Sequence, residues 1–248
     1  GRGIENATAI GKRLLMACES ESDASFAEAT QLCSEHMGNI ASDVLDMSHE
    51  VEINGLVQTR APLMKAIARK NMRCINLLLE AGASVSKTCR VKKGDTIGDE
   101  SPLLLAISLN YDDSFLHKLV QAGSPDIVNE VVDGDTALTR AIDKKRYKTM
   151  TWLMDEMGAD PQIRTSQSLL TKRILRYDKT PEADSMITRL IGMVDINDGG
   201  YDSERQIPPI VAACSEKHLN ILKMLLGQGD IVDIDKMSFL GHTALMVA

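Results

Sequence analysis

One short motif recurs along the whole chain, and it constrains the fold more than any other feature. Each copy has a small, hydroxyl-bearing or proline residue, then often Pro or Ala, then Leu or Ile, and usually a small residue three positions further on. The seven copies read RLLMAC, APLMKAI, SPLLLAI, TALTRAI, SLLTKRI, PPIVAAC and TALMVA, and their proline-equivalent positions are Arg13, Pro62, Pro102, Ala137, Leu169, Pro209 and Ala244. Such self-similarity is the sequence signature of repeat architectures.

A second shared phrase follows several copies of the motif. It reads CINLLLEAGASV, LHKLVQAGSP, WLMDEMGADP and ILKMLLGQGDIV, and each version places two apolar residues one helical turn before a glycine. This pattern predicts a helix that ends at a glycine. Each unit therefore consists of two short helices. A hydroxyl residue is placed to cap the first helix in several copies, and proline occupies the proline-equivalent position in three, Pro62, Pro102 and Pro209. Helices this short are not stable alone, so stacking against neighbouring units must stabilise them.

The composition supports a helical repeat protein. The chain has 248 residues, of which 44% are hydrophobic but only 3% aromatic. Its interior must therefore consist of Leu, Ile, Met, Val and Ala on closely packed helices. Sandwiches and barrels depend on aromatic and β-branched strand residues, so the composition favours an all-helical fold.

Together the two phrases resemble the ankyrin repeat family, whose unit opens with T-P-L-H-x-A and spans about 33 residues. The resemblance implies an all-α ankyrin-repeat solenoid of stacked antiparallel helix pairs joined by β-hairpin-like loops. We expect a single domain over 1-248, with a degenerate N-terminal capping repeat and insertion at 1-59. Repeats are then expected at 60-98, 99-132, 133-164, 165-205 and 206-238, with a truncated further repeat at 239-248. The natural protein is accordingly expected to continue beyond Ala248.

Two insertions lie between helix pairs, at Ser84 to Glu100 and at Asp195 to Ile207. One interpretation is that they are solvated, mobile surface loops, which tolerate insertion well. The alternative is that they are elongated fingers that contact a partner. In the second case the acidic Asp99 and Glu100 are candidate contact residues.

In the ankyrin family the exposed faces of the first helices line a concave groove. We therefore took the residues three and seven positions beyond the proline-equivalents of the five central copies. They are Lys65, Arg69, Leu105, Leu109, Arg140, Lys144, Lys172, Arg176, Ala212 and Glu216, and six of these ten are basic. The loops beside them are acidic and include Asp135.

This distribution predicts a basic inner stripe bordered by acidic hairpins, in a molecule of net charge -7. Such polarity would orient a protein or peptide partner that is acidic or of mixed charge. The candidate partner-binding residues are Lys65, Arg69, Leu105, Leu109, Asp99, Glu100, Asp135, Arg140, Lys144, Lys172, Arg176 and Glu216. The alternative is that Lys and Arg, as good helix formers, simply solvate one helix face.

No catalytic or cofactor-binding pattern is present in the sequence. The five histidines are dispersed, and Cys33 with His36 forms at most half of a metal site. The glycines between Gly94 and Gly98 lack the lysine and hydroxyl of a phosphate-binding loop. We therefore expect no enzymatic activity, metal or cofactor. A basic stripe without interleaved aromatics argues against nucleic acid, and no apolar run is long enough to enter a membrane.

The five cysteines are odd in number and scattered among apolar residues, which suits free thiols in a cytosolic or nuclear compartment. The sequence thus predicts a non-catalytic protein-protein interaction module within a larger scaffold, adaptor or signalling protein. The alternative is an accessory domain that packs against a catalytic or channel domain of the same longer chain.

Overall fold

The computed structural model describes residues 2–20, 22–35, 45–46, 48–53, 56–93, 96–204 and 206–248. The chain divides into two compact units, Gly1–Ile127 and Val128–Ala248. Both are built mainly from short helices, as the low aromatic content predicts. The histidine of the half metal site, His36, lies outside the described residues, and so do Gly94 and Asp95 of the first insertion.

In the residues that the structure describes, the first unit contains three helix pairs and two hairpins. Its helices are α1 (Arg2–Glu19), α2 (Asp23–Glu35), α3 (Pro62–Arg69), α4 (Met72–Glu80), α5 (Pro102–Ser108) and α6 (Asp113–Ala122). Its strands are β1 (His49–Ile53), β2 (Leu56–Arg60), β3 (Cys89–Lys93) and β4 (Thr96–Glu100). Helix α3 packs against both α1 and α5, so the first helices of consecutive pairs are neighbours.

The second unit repeats the same arrangement. Its helices are α7 (Ala137–Asp143), α8 (Tyr147–Asp155), α9 (Leu169–Leu175), α10 (Pro181–Ile191), α11 (Pro209–Ser215), α12 (Leu219–Leu226) and α13 (Ala244–Val247). Helices α7, α9, α11 and α13 pack in that order, and α8, α10 and α12 form a second layer. A short 3₁₀ turn, Gly229–Ile231, follows α12.

Hydroxyl side chains cap three of the first helices, α5, α7 and α9, as the motif predicts. The Oγ of Ser101 accepts a hydrogen bond from the amide of Leu104 at the start of α5. At the start of α7, Thr136 and Thr139 exchange hydrogen bonds in a capping box. One side chain therefore caps the start of α5, α7 and α9, whereas α3 and α11 have no side-chain cap and begin with a proline in their first turn.

The core of each unit lies between its two helix layers. Small residues of the first helices, Ala66, Ala106, Ala141 and Ala213, are all buried, which allows these helices to approach one another closely. Large apolar residues of both layers fill the remaining space, among them Ile75, Leu78 and Leu116 in the first unit and Leu138, Met150 and Ile187 in the second. Neighbouring helix pairs thus supply each other's interior.

The first insertion is more ordered than the surface-loop interpretation implies. Strands β3 and β4 pair antiparallel, with Cys89 opposite Glu100 and Lys93 opposite Thr96. Strand β2 lies beside β3, where the amide of Arg90 donates to Oγ1 of Thr59 at 2.7 Å. The described part of this insertion is therefore a paired hairpin, and its contact with a partner stays a prediction.

The second insertion forms neither helix nor strand in its described residues, yet it is fastened to the preceding loop. The amide of Tyr201 donates to the carbonyl of Thr165 at 3.1 Å, and that of Asp202 donates to Ser166 at 3.2 Å. Within the described part of the chain, no helix combines the length and apolar character needed to cross a membrane.

Candidate functional site

A ladder of charged side chains links consecutive helix pairs of the second unit. Asp135 stands directly before α7, and its carboxylate accepts from Lys172 Nζ at 2.6 Å and from Arg140 Nη2 at 3.1 Å. Lys172 also contacts Asp143 at 2.9 Å, and Asp143 lies 3.4 Å from Arg176 Nε. We call these five residues, Asp135, Arg140, Asp143, Lys172 and Arg176, the charged ladder.

The backbone explains why Asp135 can reach both cations. Val132 and Asp135 form an isolated β-bridge, which turns the chain tightly just before the Thr136 cap of α7. The hydroxyl of Thr139 donates to the same carboxylate at 3.0 Å. Lys172, one helix pair further on, lies on the first full turn of α9 and points back toward the bridge. The hairpin and two first helices are therefore tied to a single carboxylate.

The pKa of Asp135 reports this environment. Burial acts to raise the pKa of the carboxyl, but the charge and hydrogen bond of Lys172, with the charge of Arg140, outweigh it. The net result is a pKa below the ordinary aspartate value. Asp135 is therefore ionised, and the ladder holds three cations against two carboxylates.

A polar cavity of about 230 Å³ opens beside the ladder. Asp133 and Gly134 form one side of it, Ser166 and Gln167 of the next loop form another, and Lys172 closes it. Its size and polarity suit a polar side chain or a few water molecules. A larger cavity of about 450 Å³ lies between later loops of the same unit, lined in part by Arg164, Asp198 and Lys236.

The structure separates the predicted contact residues by exposure. Five of them are exposed, namely Arg69, Asp99, Lys144, Arg176 and Glu216. Four are half-buried, namely Leu105, Leu109, Asp135 and Lys172. Leu105 packs on a small cluster of Ala61, Met64 and Cys89, so its role there is partly structural.

The prediction of an exposed basic stripe is wrong for Lys65 and Arg140, which are both 8% exposed. The ammonium of Lys65 pairs with Glu19 at the end of α1, and the guanidinium of Arg140 pairs with Asp135. Each cation is turned inward because a carboxylate from another segment meets it there. Glu100, expected on an exposed finger, is likewise buried.

Sequence reasoning missed Arg173, the neighbour of Lys172. Its side chain is 0% exposed, and the guanidinium lies over the ring of Tyr147, 4.6 Å from the centroid. It donates to the carbonyl of Arg176 at 3.0 Å and approaches Asp178 at 3.4 Å. Two of the rare aromatic residues, Tyr147 and Tyr177, flank this arginine. Their presence in the sequence near Arg173 was the signal that could have indicated a buried arginine.

The surroundings of Arg173 have shifted pKa values. Burial and a hydrogen bond donated to Asp178 raise the pKa of Tyr147 to about 12. Burial also opposes ionisation of Asp178, but hydrogen bonds from Tyr147 and Thr180 and the charge of Arg173 lower the pKa of its carboxyl overall. These residues form a paired, internal cluster that holds the turn between α9 and α10.

The described residues contain no group of three or more His, Cys, Asp or Glu side chains that could hold a metal ion. Cys18, Cys33, Cys74, Cys89 and Cys214 are all free and buried. The described residues thus present charged surfaces, with cavities between loops.

The motif pattern and the paired helices have a counterpart among known families. Residues 63–165 match the family model for ankyrin repeats in three copies. This segment is therefore similar to three consecutive ankyrin repeats. No curated protein matches its sequence.

Solved ankyrin repeat domains share the fold over nearly the whole chain. The ankyrin repeat domain of Bcl-3, a member of the IkappaB family, is 21% identical with a TM-score of 0.63, covering 95% of this chain and 92% of that one. An ankyrin repeat domain from Acinetobacter baumannii AYE is 20% identical with a TM-score of 0.62, covering 87% and 97%. The human ASB11 ankyrin repeat domain is 15% identical with a TM-score of 0.56, covering 96% and 90%.

These similarities confirm the predicted all-α ankyrin-repeat fold. Ankyrin repeats are generally protein-protein interaction modules, and their fold is typically non-catalytic. The number and boundaries of the repeats, and their union in one domain, stay predictions.

Proposed function

We propose that this chain is a non-catalytic module that binds a partner protein or peptide through the face formed by α7, α9 and the turn before α7. The charged ladder supports this proposal. It fixes charged side chains from two consecutive helix pairs in one arrangement before any partner arrives. A preorganised surface binds with a smaller loss of side-chain freedom than a surface that must order on contact.

The charge of this face indicates the kind of partner. Lys172 and Arg140 are largely neutralised by Asp135, while Lys144 is exposed and Arg176 keeps 59% of its side chain exposed beside Asp143. This face presents exposed cations next to carboxylates and is not an unbroken basic stripe. It therefore suits a partner whose charge is acidic or mixed. The net charge of -7 and the 3% of aromatic residues favour a protein partner over nucleic acid.

We further propose that the module serves inside a scaffold, adaptor or signalling protein in the cytosol or nucleus. A domain without its own chemistry acts by bringing one protein to another. The five free, buried thiols suit a reducing compartment.

Differential capture tests the proposal. The whole chain, its Lys144→Glu/Arg176→Glu variant and a Lys148→Glu/Lys223→Glu control are used to capture proteins from an extract of the source organism. Lys148 and Lys223 are also exposed lysines, but they lie on α8 and α12 in the other helix layer. We expect a set of proteins to be captured by the wild type and the control and lost from the first variant. The same captured set with all three would contradict the proposal.

A further inference from the structure

Three exposed lysines of the second unit occupy the same position in three consecutive turns. Lys145 lies between α7 and α8, Lys179 between α9 and α10, and Lys217 between α11 and α12. Each stands immediately before the N-cap residue of the second helix. Their φ angles are 55°, 60° and 55°, so all three adopt the left-handed conformation. We call these three residues the turn ridge.

Lysine is not the residue that this backbone conformation favours. A side chain with a Cβ is strained in the left-handed region, where glycine is unstrained and Asn or Asp is tolerated through local hydrogen bonds. Lysine brings no such local bond. Folding alone would therefore select glycine, and the recurrence of lysine in three consecutive turns indicates that the charge itself is used.

The three turns lie next to one another. The hydroxyl of Tyr147, two residues after Lys145, donates to Asp178, which precedes Lys179. The ring of Tyr177 then meets that of His218 in an edge contact, with 4.9 Å between centroids. The charge of Lys179 also acts on this imidazole, where together with burial it outweighs Glu216 and lowers the pKa of His218. The ridge is therefore continuous from one turn to the next.

The ridge lysines keep their charge available. Among the described residues, none of the three forms an ion pair. The carboxylates nearest in sequence to two of them are engaged elsewhere, since Asp143 pairs with Lys172 and Asp178 pairs with Arg173. Glu216 beside Lys217 and Glu182 three residues after Lys179 are exposed carboxylates.

We propose that the turn ridge of Lys145, Lys179 and Lys217 docks an extended acidic segment of a partner protein. The inference rests on the proposed binding function and names the chemistry of one part of the partner. Packed helices are about 8 to 10 Å apart, so successive ridge lysines are separated by about that distance. A polyproline II segment advances about 9 Å in three residues and returns to the same face. A segment with a carboxylate at every third residue therefore matches the ridge.

The direct test uses fluorescein-labelled peptides and the whole chain in low salt. One peptide carries Glu-Pro-Pro repeats, and the other has the same composition with its glutamates adjacent. We expect the spaced peptide to bind more tightly. The Lys145→Gln/Lys179→Gln/Lys217→Gln variant should weaken its binding by about tenfold or more, whereas Lys148→Gln/Lys223→Gln/Lys236→Gln should change it by less than about twofold. Arginine at the three ridge positions should restore binding.

Stability measurements keep the test interpretable. Replacing the three ridge lysines by glycine relieves the left-handed strain, so this variant should unfold at a temperature no lower than the wild type while losing the peptide. Equal binding of the spaced peptide by the wild type and the glycine variant would overturn the proposal. So would equal affinity for the two peptides, or tighter binding through these lysines of an oligonucleotide with the same charge.

This outcome is separable from that of the capture experiment. Loss of captured proteins from the Lys144→Glu/Arg176→Glu variant, with no effect of the ridge variants on the peptide, would refute the ridge and leave the proposed function intact. Peptide binding that depends on the ridge, with capture unaffected by Lys144 and Arg176, would support the ridge and refute the proposed binding face.

Discussion

Lys172 and Asp135 lie in consecutive helix pairs, and their side chains meet with 2.6 Å between Nζ and Oδ1. The lysine is 14% exposed and the aspartate 20%, so the contact is largely shielded from water. Because Asp135 also receives Arg140, this one carboxylate joins a hairpin turn, its own helix and the next helix pair. The ion pairs on the charged face of the second unit therefore also hold its helix pairs together.

A double-mutant cycle on Asp135→Asn and Lys172→Met should show strong coupling. We expect an interaction of about 1 kcal/mol or more, since partly buried ion pairs are poorly screened. Urea unfolding of the wild type, both single variants and the double variant gives the value. The matched control is Arg13 with Glu28, a pair 59% and 42% exposed, for which about 0.5 kcal/mol or less is expected. Equal coupling in the two cycles would contradict the structural role of the ladder.

Acid should remove the contribution of Asp135 to stability. Its folded-state pKa lies below the unfolded value of about 3.9, so the stabilisation is complete above that pH and declines as the pH falls through the folded pKa. Unfolding free energies of the wild type and Asp135→Asn should therefore differ most near neutral pH and converge as the pH falls through the lowered folded-state pKa of Asp135. A difference that stays constant over this range would show that Asp135 does not titrate as proposed.

Two arginines three residues apart should respond very differently to truncation. Arg173→Ala should lower the free energy of unfolding by about 3 to 5 kcal/mol, because it removes a fully buried cation and leaves Asp178 without its charge partner. Arg176→Ala removes an exposed cation and should cost less than about 1 kcal/mol. Chemical unfolding measures both. A cost for Arg173→Ala as small as that for Arg176→Ala would contradict its packing between Tyr147 and Tyr177.

Two glycines with positive φ angles, Gly158 and Gly200, should differ in how well they tolerate replacement by alanine. Gly158 has φ +70° and open space where a Cβ would lie, so Gly158→Ala should cost about 1 kcal/mol from backbone strain alone. Gly200 has φ +106°, and a Cβ there would lie 2.4 Å from the carbonyl oxygen of Ser166. Gly200→Ala should cost at least about 2 kcal/mol more, because the loop must detach from its neighbour. Similar unfolding temperatures of the two variants would contradict the close contact between Gly200 and Ser166.

The sequence was sufficient to predict the helices, because local features determine where they begin. Pro62, Pro102 and Pro209 start α3, α5 and α11 at the expected positions, and Thr136 and Ser168 cap α7 and α9. The first motif copy differs, because Arg13 lies inside α1, which begins at Arg2. The recurring alanines are buried as the close approach of first helices requires. Helix caps depend on residues close together in the sequence, and the repeat period is a recurrence along the chain. Both can therefore be recognised in a single sequence.

Side-chain pairing across repeats could not be predicted in the same way. The position count correctly placed Lys65, Arg140 and Lys172 on first helices, but the residues that neutralise them come from other segments. Glu19 lies in α1, and Asp135 reaches Lys172 only because the bridge at Val132 turns the chain toward α9. Such contacts depend on the three-dimensional register of consecutive units, which a periodic pattern does not encode.

The binding of a partner to the face of α7 and α9 is tested most directly by amide hydrogen exchange. Exchange is measured on the whole chain with and without a protein whose capture requires Lys144 and Arg176. We expect the partner to slow exchange in residues 132–146 and 165–176, with little change in the second-layer helices α8 and α10. Slower exchange confined to α8 and α10, with residues 132–146 and 165–176 unchanged, would contradict it.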